Sequence, residues 1–230
     1  MKLEVFDAYN IRARLSVSIL VLAPIAITLF SIFDETRSFA TSSIIIFVLL
    51  ALTNYVPILQ RRISKWKEFK ANYAADMLLL QDKTFDTVTK NRYYKKLASL
   101  NEAFSLFMFP DDSEKFHKCC ESAVLYLRSH TRENQLVQEE NINYGFCKNL
   151  LSSKPAGIII CLICLSFATG YSICNFGSIS NIPVQNYLAL ISDLVLFFFW
   201  VFGINSKILE LAAKRYAKAI IMAIDTIDNK

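Results

Sequence analysis

Four long apolar runs, nearly free of charge, alternate with charged segments along the 230-residue chain. The runs are Leu15–Phe33, Ile44–Leu59, Gly157–Cys174 and Tyr187–Ile204. Each holds roughly 16–19 residues, against about 20 needed to cross ~30 Å of hydrocarbon at ~1.5 Å per residue. The pattern predicts four transmembrane helices, of which the second is the shortest and requires flanking residues or local thinning of the bilayer.

Lysine and arginine beside the runs predict the orientation, because the cytoplasmic flanks of membrane spans are enriched in both. The cations lie before the first and third runs and after the second and fourth: Arg12, Arg14, Arg61, Arg62, Lys65, Lys67, Lys70, Lys148, Lys154, Lys207, Lys214, Arg215 and Lys218. The opposite flanks, residues 34–43 and 175–186, contain one lysine or arginine, Arg37. Both termini and the middle region are therefore predicted to be cytoplasmic, in a multi-pass protein of the bacterial inner membrane.

The predicted fold is an all-α membrane protein with two transmembrane helical hairpins. Residues 1–59 form the N-terminal segment and first hairpin, 60–155 a small helical cytoplasmic domain, 156–204 the second hairpin, and 205–230 an amphipathic cytoplasmic helix. A cleaved signal peptide is the alternative for the first run, since residues 38–40 have the small-x-small form of a cleavage site. The run is longer than the usual core of about 7–15 residues, which favours a retained span.

Helical signals recur through the middle region and the C-terminal tail. Asp86 or Thr87 is a candidate helix cap, and a second helix is expected to begin at residues 110–113. The second helix has an apolar stripe: Phe116, Cys120, Val124 and Leu127. The tail has a broad apolar face: Ile208, Leu211, Ala212, Tyr216, Ala219, Ile220, Ala223 and Ile227. This face is expected to pack against the middle domain; self-assembly and the membrane interface are the alternatives.

Composition adds little to this pattern. The net charge of +5 is explained by the cationic flanks, and nucleic-acid binding is not expected without a recognisable binding fold. No phosphate-binding loop, dinucleotide fingerprint or zinc-protease motif is present, and no enzyme activity, cofactor or metal is expected. Cys161 and Cys164 have metal-site spacing, but inside a span and without a second pair they are better explained by packing.

Asp193 is the charged residue that interrupts an apolar run. It lies about 10 Å from the predicted outer end of the fourth span, where a carboxylate costs roughly 2.5–3.5 kcal/mol. It is therefore expected to face the bundle or an ion path. Asn54 on the second span, and Ser166 or Thr169 on the third, are the candidate polar partners. Structural pairing and a role in ion conduction both remain open.

A polar segment leads into the third run and is a candidate coupling element. It contains Glu139, Glu140, Asn141, Tyr144 and Gly145. The carboxylates are expected to dock on the basic extension of the second span: Arg61, Arg62 and Lys65. A loop that simply tolerates polarity is the alternative. Lys154-Pro155 is expected to open the third membrane helix, because proline is favoured at a helix start.

Three motifs resemble those of a family of uncharacterised bacterial four-span membrane proteins. The first is a Tyr-x-x-Arg-Ala-Arg start at residues 9–14. The second is Asp-x-Thr-x-Asp-x-x-Thr-Lys-x-Arg-Tyr at 82–93, and the third is Glu-Asn-x-x-Tyr-Gly-Phe-x-x-Asn-Leu-Leu at 140–151. The chain departs from the family between residues 60 and 80, where a stretch with Gly and Pro is missing. The resemblance implies a four-span fold and no particular activity.

The architecture also resembles that of the membrane effectors of antiphage systems, by analogy of build alone. The favoured hypothesis is an oligomeric membrane effector or channel-like protein that perturbs the membrane when its cytoplasmic domain is triggered. The alternative is a non-conducting scaffold that recruits a cytoplasmic partner. Expected partners are anionic lipid headgroups, further copies of the chain, and a cytoplasmic protein or small-molecule trigger.

Overall fold

A computed structural model describes residues 9–38, 41–46, 48, 72–177 and 181–227. Within these ranges all regular secondary structure is helical. The α-helices are α1 (Ser16–Ile32), α2 (Tyr73–Met77), α3 (Thr87–Leu100), α4 (Glu114–His130), α5 (Gln135–Phe176), α6 (Val184–Phe198) and α7 (Ser206–Met222). Asn10–Leu15 and Phe199–Gly203 are π-helical extensions of α1 and α6, and 3₁₀ segments span Asp34–Arg37, Glu102–Met108 and Ala223–Thr226.

Three of these helices are long and apolar enough to cross a membrane. They are Asn10–Ile32, Gln135–Phe176 and Val184–Gly203. They correspond to the first, third and fourth predicted spans. The second predicted span, residues 44–59, lies outside the described residues except for 44–46 and 48. An all-helical chain with apolar, span-length helices is thus confirmed, and the structure describes three of them.

The chain divides into two compact units. The apolar unit contains the described residues before 49 together with Gly145–Ile208, and the amphipathic unit contains residues 72–144 and 209–227. In the apolar unit, α1 packs against α6. Phe33, directly after α1, contacts the rings of Phe167 and Tyr171 on α5. The three span-length helices therefore share one core.

Helix α5 corrects one prediction about the boundary of the third span. The helix is 42 residues long and runs without a break through Pro155, so the expected helix start at Lys154-Pro155 is wrong. A proline inside a helix removes a single backbone hydrogen bond and crowds the preceding turn. Here the helix-forming residues on both sides outweigh that loss, as neighbouring groups often allow in membrane helices.

The amphipathic unit is organised around the apolar stripe of α4. All four predicted stripe residues, Phe116, Cys120, Val124 and Leu127, are at most 1% exposed. Two helices of this unit, α3 and α4, begin with side-chain caps, as the sequence predicts. The Asp86 carboxylate accepts a hydrogen bond from the Thr89 N–H at the start of α3, and the Ser113 hydroxyl accepts one from the Phe116 N–H at the start of α4.

The second half of helix α7 and the 3₁₀ segment after it pack into the same core, with Ile220 and Ile221 of α7 and Ile224 of the 3₁₀ segment fully buried. The predicted buried face is displaced at its start, however. Ile208 and Leu211 are 41% and 53% exposed, and Leu209 is buried instead. Helical periodicity alone cannot place an apolar stripe to within one residue when apolar side chains also occupy neighbouring positions.

Candidate functional site

Asp193 on α6 has no exposed surface, although it lies in the middle of a span-length helix. Its Oδ2 accepts a hydrogen bond of 2.6 Å from the hydroxyl of Thr28 on α1. Its Oδ1 is buried without a hydrogen-bond partner among the described residues. The carboxyl group therefore faces the packed helices of its own chain and holds one hydrogen bond there.

Two cysteines of α5 complete the surroundings of this carboxyl group. Cys161 and Cys164 are buried, and both thiols lie close enough to Asp193 to interact with it electrostatically. The Cys164 thiol also interacts with the Thr28 side chain. The polar cluster of Thr28, Cys161, Cys164 and Asp193 thus joins all three span-length helices of the described structure.

The sequence did not identify Thr28 as the partner. Ser166 and Thr169 on α5 are exposed and do not contact Asp193, and Asn54 lies outside the described residues. Thr28 and Asp193 nevertheless have similar predicted depths in the membrane. Thr28 lies about five residues before the predicted end of the first run, and Asp193 about six after the start of the fourth. At ~1.5 Å per residue both lie roughly 8–9 Å from the same side.

The cluster has limited chemistry. In the described part of the chain, no group of three His, Cys, Asp or Glu residues is arranged to hold a metal ion. A buried carboxyl group with a free oxygen can take up or release a proton, and it can attract a cation once water reaches it. Intramembrane acids generally mark such pathways, which makes Asp193 the candidate functional residue of the apolar unit.

A second polar arrangement, the Lys154 junction, ties α5 to the end of α6. The Lys154 ammonium group donates hydrogen bonds to the carbonyls of Val201, at 2.8 Å, and Ile204, at 2.7 Å. Carbonyls at a helix end have no partner within the helix, so the lysine supplies one. Beside it, a Cβ on Gly157 would lie 2.3 Å from the Trp200 ring, so only glycine fits there.

The coupling residues that the structure describes have separate surroundings. Glu139 is exposed and accepts a hydrogen bond from Gln135, whereas Glu140 has one buried carboxylate oxygen without a partner in the described structure. Gly145 is a site of close approach, since a Cβ there would lie 2.5 Å from the Tyr9 hydroxyl. The proposed cationic partners, Arg61, Arg62 and Lys65, lie outside the described residues.

Asn141 and Tyr144 instead line a cleft in the amphipathic unit. Its volume is about 440 Å³. The lining residues come from α2, α4, α5 and α7: Asn72, Tyr73, Ala74, Arg128, Asn141, Tyr144, Ala213, Tyr216 and Ala217. The polar segment before the third run therefore contributes to a concave surface, which cannot be predicted from sequence periodicity.

The chain matches no protein-family model, no curated protein and no solved structure. Its resemblance to bacterial four-span membrane proteins stays a prediction from three sequence motifs.

Proposed function

We propose that the protein is an oligomeric membrane effector or channel-like protein of the bacterial inner membrane. In this proposal its cytoplasmic domain responds to a trigger and the spans then open a leak. Antiviral defence is a setting that suits such an effector, by the architectural analogy drawn from the sequence. The proposal includes four spans in two hairpins, with residues 44–59 as the second span and both termini in the cytoplasm.

Three features support the topology. The described helices include three of span length. Apart from Arg37, the lysines and arginines that flank the runs lie at their predicted cytoplasmic ends, as the positive-inside rule requires. The amphipathic unit buries its own apolar core and has charged side chains on its surface, which suits an aqueous domain.

The burial of Asp193 is the observation that carries the proposed function. A carboxylate at this depth costs roughly 2.5–3.5 kcal/mol, whereas a hydrogen bond between membrane helices contributes about 0.6 kcal/mol on average. Among the described residues, the bond from Thr28 is the one hydrogen bond to the acid, and it does not offset the cost of burial. The described contacts give no stability reason for an aspartate at this position, whereas a functional role does.

In the proposed resting state, Thr28 holds Asp193 inside the packed helices and no water reaches it. Opening separates α1 from α6 and exposes the carboxylate to a water-filled path, where its negative charge favours cations. Four short helices cannot enclose a wide pore by themselves. Several copies must therefore assemble around the path.

The test is membrane depolarisation in bacterial cells that express the full chain, followed with a potential-sensitive dye. Wild type at high expression is expected to depolarise the membrane through the small fraction of open copies, and Asp193→Asn is expected to abolish the effect at equal expression. Thr28→Val releases the carboxyl group and is expected to depolarise at lower expression. Ser166→Ala removes an exposed polar side chain of α5 and is the matched control. Equal depolarisation by wild type and Asp193→Asn, or none by Thr28→Val, contradicts the proposal.

One observation favours the scaffold as the second candidate function. Met108 and Phe109 in the amphipathic unit are 54% and 82% exposed, and exposed apolar side chains of this size often mark protein-binding surfaces. A scaffold predicts normal membrane potential and a stoichiometric partner that is lost in Phe109→Asp. Leak activity that persists in Phe109→Asp favours the effector instead.

A further inference from the structure

The cleft of the amphipathic unit has the size of a small-molecule site. Its volume of about 440 Å³ falls within the range of about 300–1,000 Å³ typical of ligand pockets. It is formed by side chains from four helices that pack around one core, so its walls are held by the fold of this unit.

Asn72, which lines this cleft, does not cap its helix with its side chain. It occupies the N-cap position of α2, where an asparagine normally accepts a hydrogen bond from the first turn, yet it makes no such bond. Its Oδ1 is instead buried and lacks a hydrogen-bond partner among the described residues. A buried acceptor without a partner is costly. Asn72 lines the cleft, so a rotation of its side chain would bring this oxygen to a ligand N–H group there.

The charge of the cleft is positive. Arg128 is exposed and forms no ion pair within the described ranges, and none of the lining residues is acidic. Lys214 lies nearby, 5.4 Å above the Tyr73 ring, although its charge is paired with Glu210 at 2.7 Å. The guanidinium of Arg128 is therefore the cation available to an anionic group, which it can bind with two parallel hydrogen bonds.

Three tyrosines contribute to the remaining wall. Tyr73, Tyr144 and Tyr216 line the cleft. The rings of Tyr144 and Tyr216 are nearly parallel, with an interplanar angle of 11° and centroids 5.9 Å apart. Such a wall favours a flat ring that can lie against it.

We propose that this cleft binds a small anion that carries an aminated aromatic ring. The anionic group pairs with Arg128, the ring lies against the tyrosines, and a ring amine donates to Asn72. A nucleoside monophosphate and an aromatic amino-carboxylate both have this chemistry. Resting on the proposed function, we assign binding at this cleft as the trigger of the effector.

The test is isothermal titration calorimetry with the full-length protein in detergent. Adenosine 5′-monophosphate and 4-aminobenzoate are the two ligand probes, and inorganic phosphate and adenosine test the anion and the ring alone. Saturable binding of one ligand probe, with much weaker binding of the anion alone and the ring alone, is expected. The probe that binds shows whether the ligand is a nucleoside monophosphate or an aromatic amino-carboxylate. No saturable binding by either ligand probe overturns the proposal.

Variants locate the site. Arg128→Gln is expected to weaken binding by about 10- to 100-fold, because it removes hydrogen bonds to a charged group. Asn72→Ala and Tyr216→Leu weaken it too, and Arg132→Gln, an exposed arginine outside the cleft, leaves it unchanged. Equal affinity in Arg128→Gln and wild type, with both proteins folded by circular dichroism, contradicts the assignment. The calorimetric assay does not require the protein to conduct ions. A negative binding result would therefore overturn the ligand site without bearing on the effector function.

Discussion

Replacing Thr28 by valine separates a functional role of Asp193 from a structural one. Valine keeps the shape of threonine and removes the hydroxyl that donates to Asp193 Oδ2. Asp193 Oδ1 already lacks a partner in the described structure, so the variant leaves the carboxyl group without any described hydrogen bond. Two measurements follow from this change: the stability of the folded protein and its leak activity.

The expected loss of stability is small. Hydrogen bonds between membrane helices contribute about 0.6 kcal/mol on average and up to ~1.7 kcal/mol. If the closed state loses this amount relative to the open state, the open population rises by about 3- to 18-fold. Thr28→Val is therefore expected to unfold slightly more readily and to leak strongly.

Asp193→Leu is expected to have the opposite combination of effects. It removes a burial cost of roughly 2.5–3.5 kcal/mol and adds a repacking cost of about 1–3 kcal/mol. The variant should be about as stable as wild type, or more stable, and should not leak. This combination identifies an acid retained for function.

The assay is unfolding in mixed micelles with increasing sodium dodecyl sulfate, followed by circular dichroism and by the fluorescence of the buried Trp200 in proteins that carry Trp66→Phe, since the chain has two tryptophans. The four proteins of a double-mutant cycle give the coupling energy between positions 28 and 193. A loss of about 3 kcal/mol or more in Asp193→Leu would show that the acid stabilises the fold. That result refutes the functional argument, as does a Thr28→Val variant whose leak equals that of wild type.

Three further outcomes are expected. Gly157→Ala should destabilise the apolar unit by about 1–3 kcal/mol, since its Cβ would lie 2.3 Å from the Trp200 ring. Gly170→Ala is the control and should not destabilise the unit, because no atom of the described structure lies within 4 Å of its Cβ. Lys154→Met should cost about 2 kcal/mol in the same micelle assay, because two carbonyls lose their charged donor. Burial raises the pKa of Cys120 to about 12, so its thiolate fraction at neutral pH should be about 1,000-fold below that of an ordinary thiol and maleimide labelling should require unfolding.

For each of these three predictions, one result would contradict the physical reason given for it. Equal stability of Gly157→Ala and Gly170→Ala would show that Trp200 moves freely away. An unchanged Lys154→Met would mean that water serves the two carbonyls equally well. Rapid labelling of Cys120 in the folded protein would show that the core of the amphipathic unit opens readily.

Local signals in the sequence predicted the features that depend on neighbouring residues. Asp86 and the stripe of α4 were found because caps and helical periodicity act over about one or two turns. Pro155 was assigned to a helix start because proline on its own favours that position. The helical structure of the residues on both sides of it was not taken into account. The sequence could not show that α5 continues through it.

Tertiary contacts explain the remaining differences. Asp193 could be identified from the sequence because it is a charged residue in an apolar run. Its partner Thr28 is 165 residues away in the chain, so their contact is visible only in the folded protein. The cleft depends on four helices meeting, so Asn141 and Tyr144 were identified as polar and aromatic residues of interest without their surroundings. The failed capping by Asn72 is likewise visible only in the folded chain.

The most direct test of the effector proposal is cation flux from liposomes that contain the purified full chain. Without a trigger, wild type should release a trapped monovalent cation slowly through its small open population, and Thr28→Val should release it faster by about 3- to 18-fold. Asp193→Asn should retain the cation. Retention by all three proteins, or equal release by wild type and Asp193→Asn, would contradict the account.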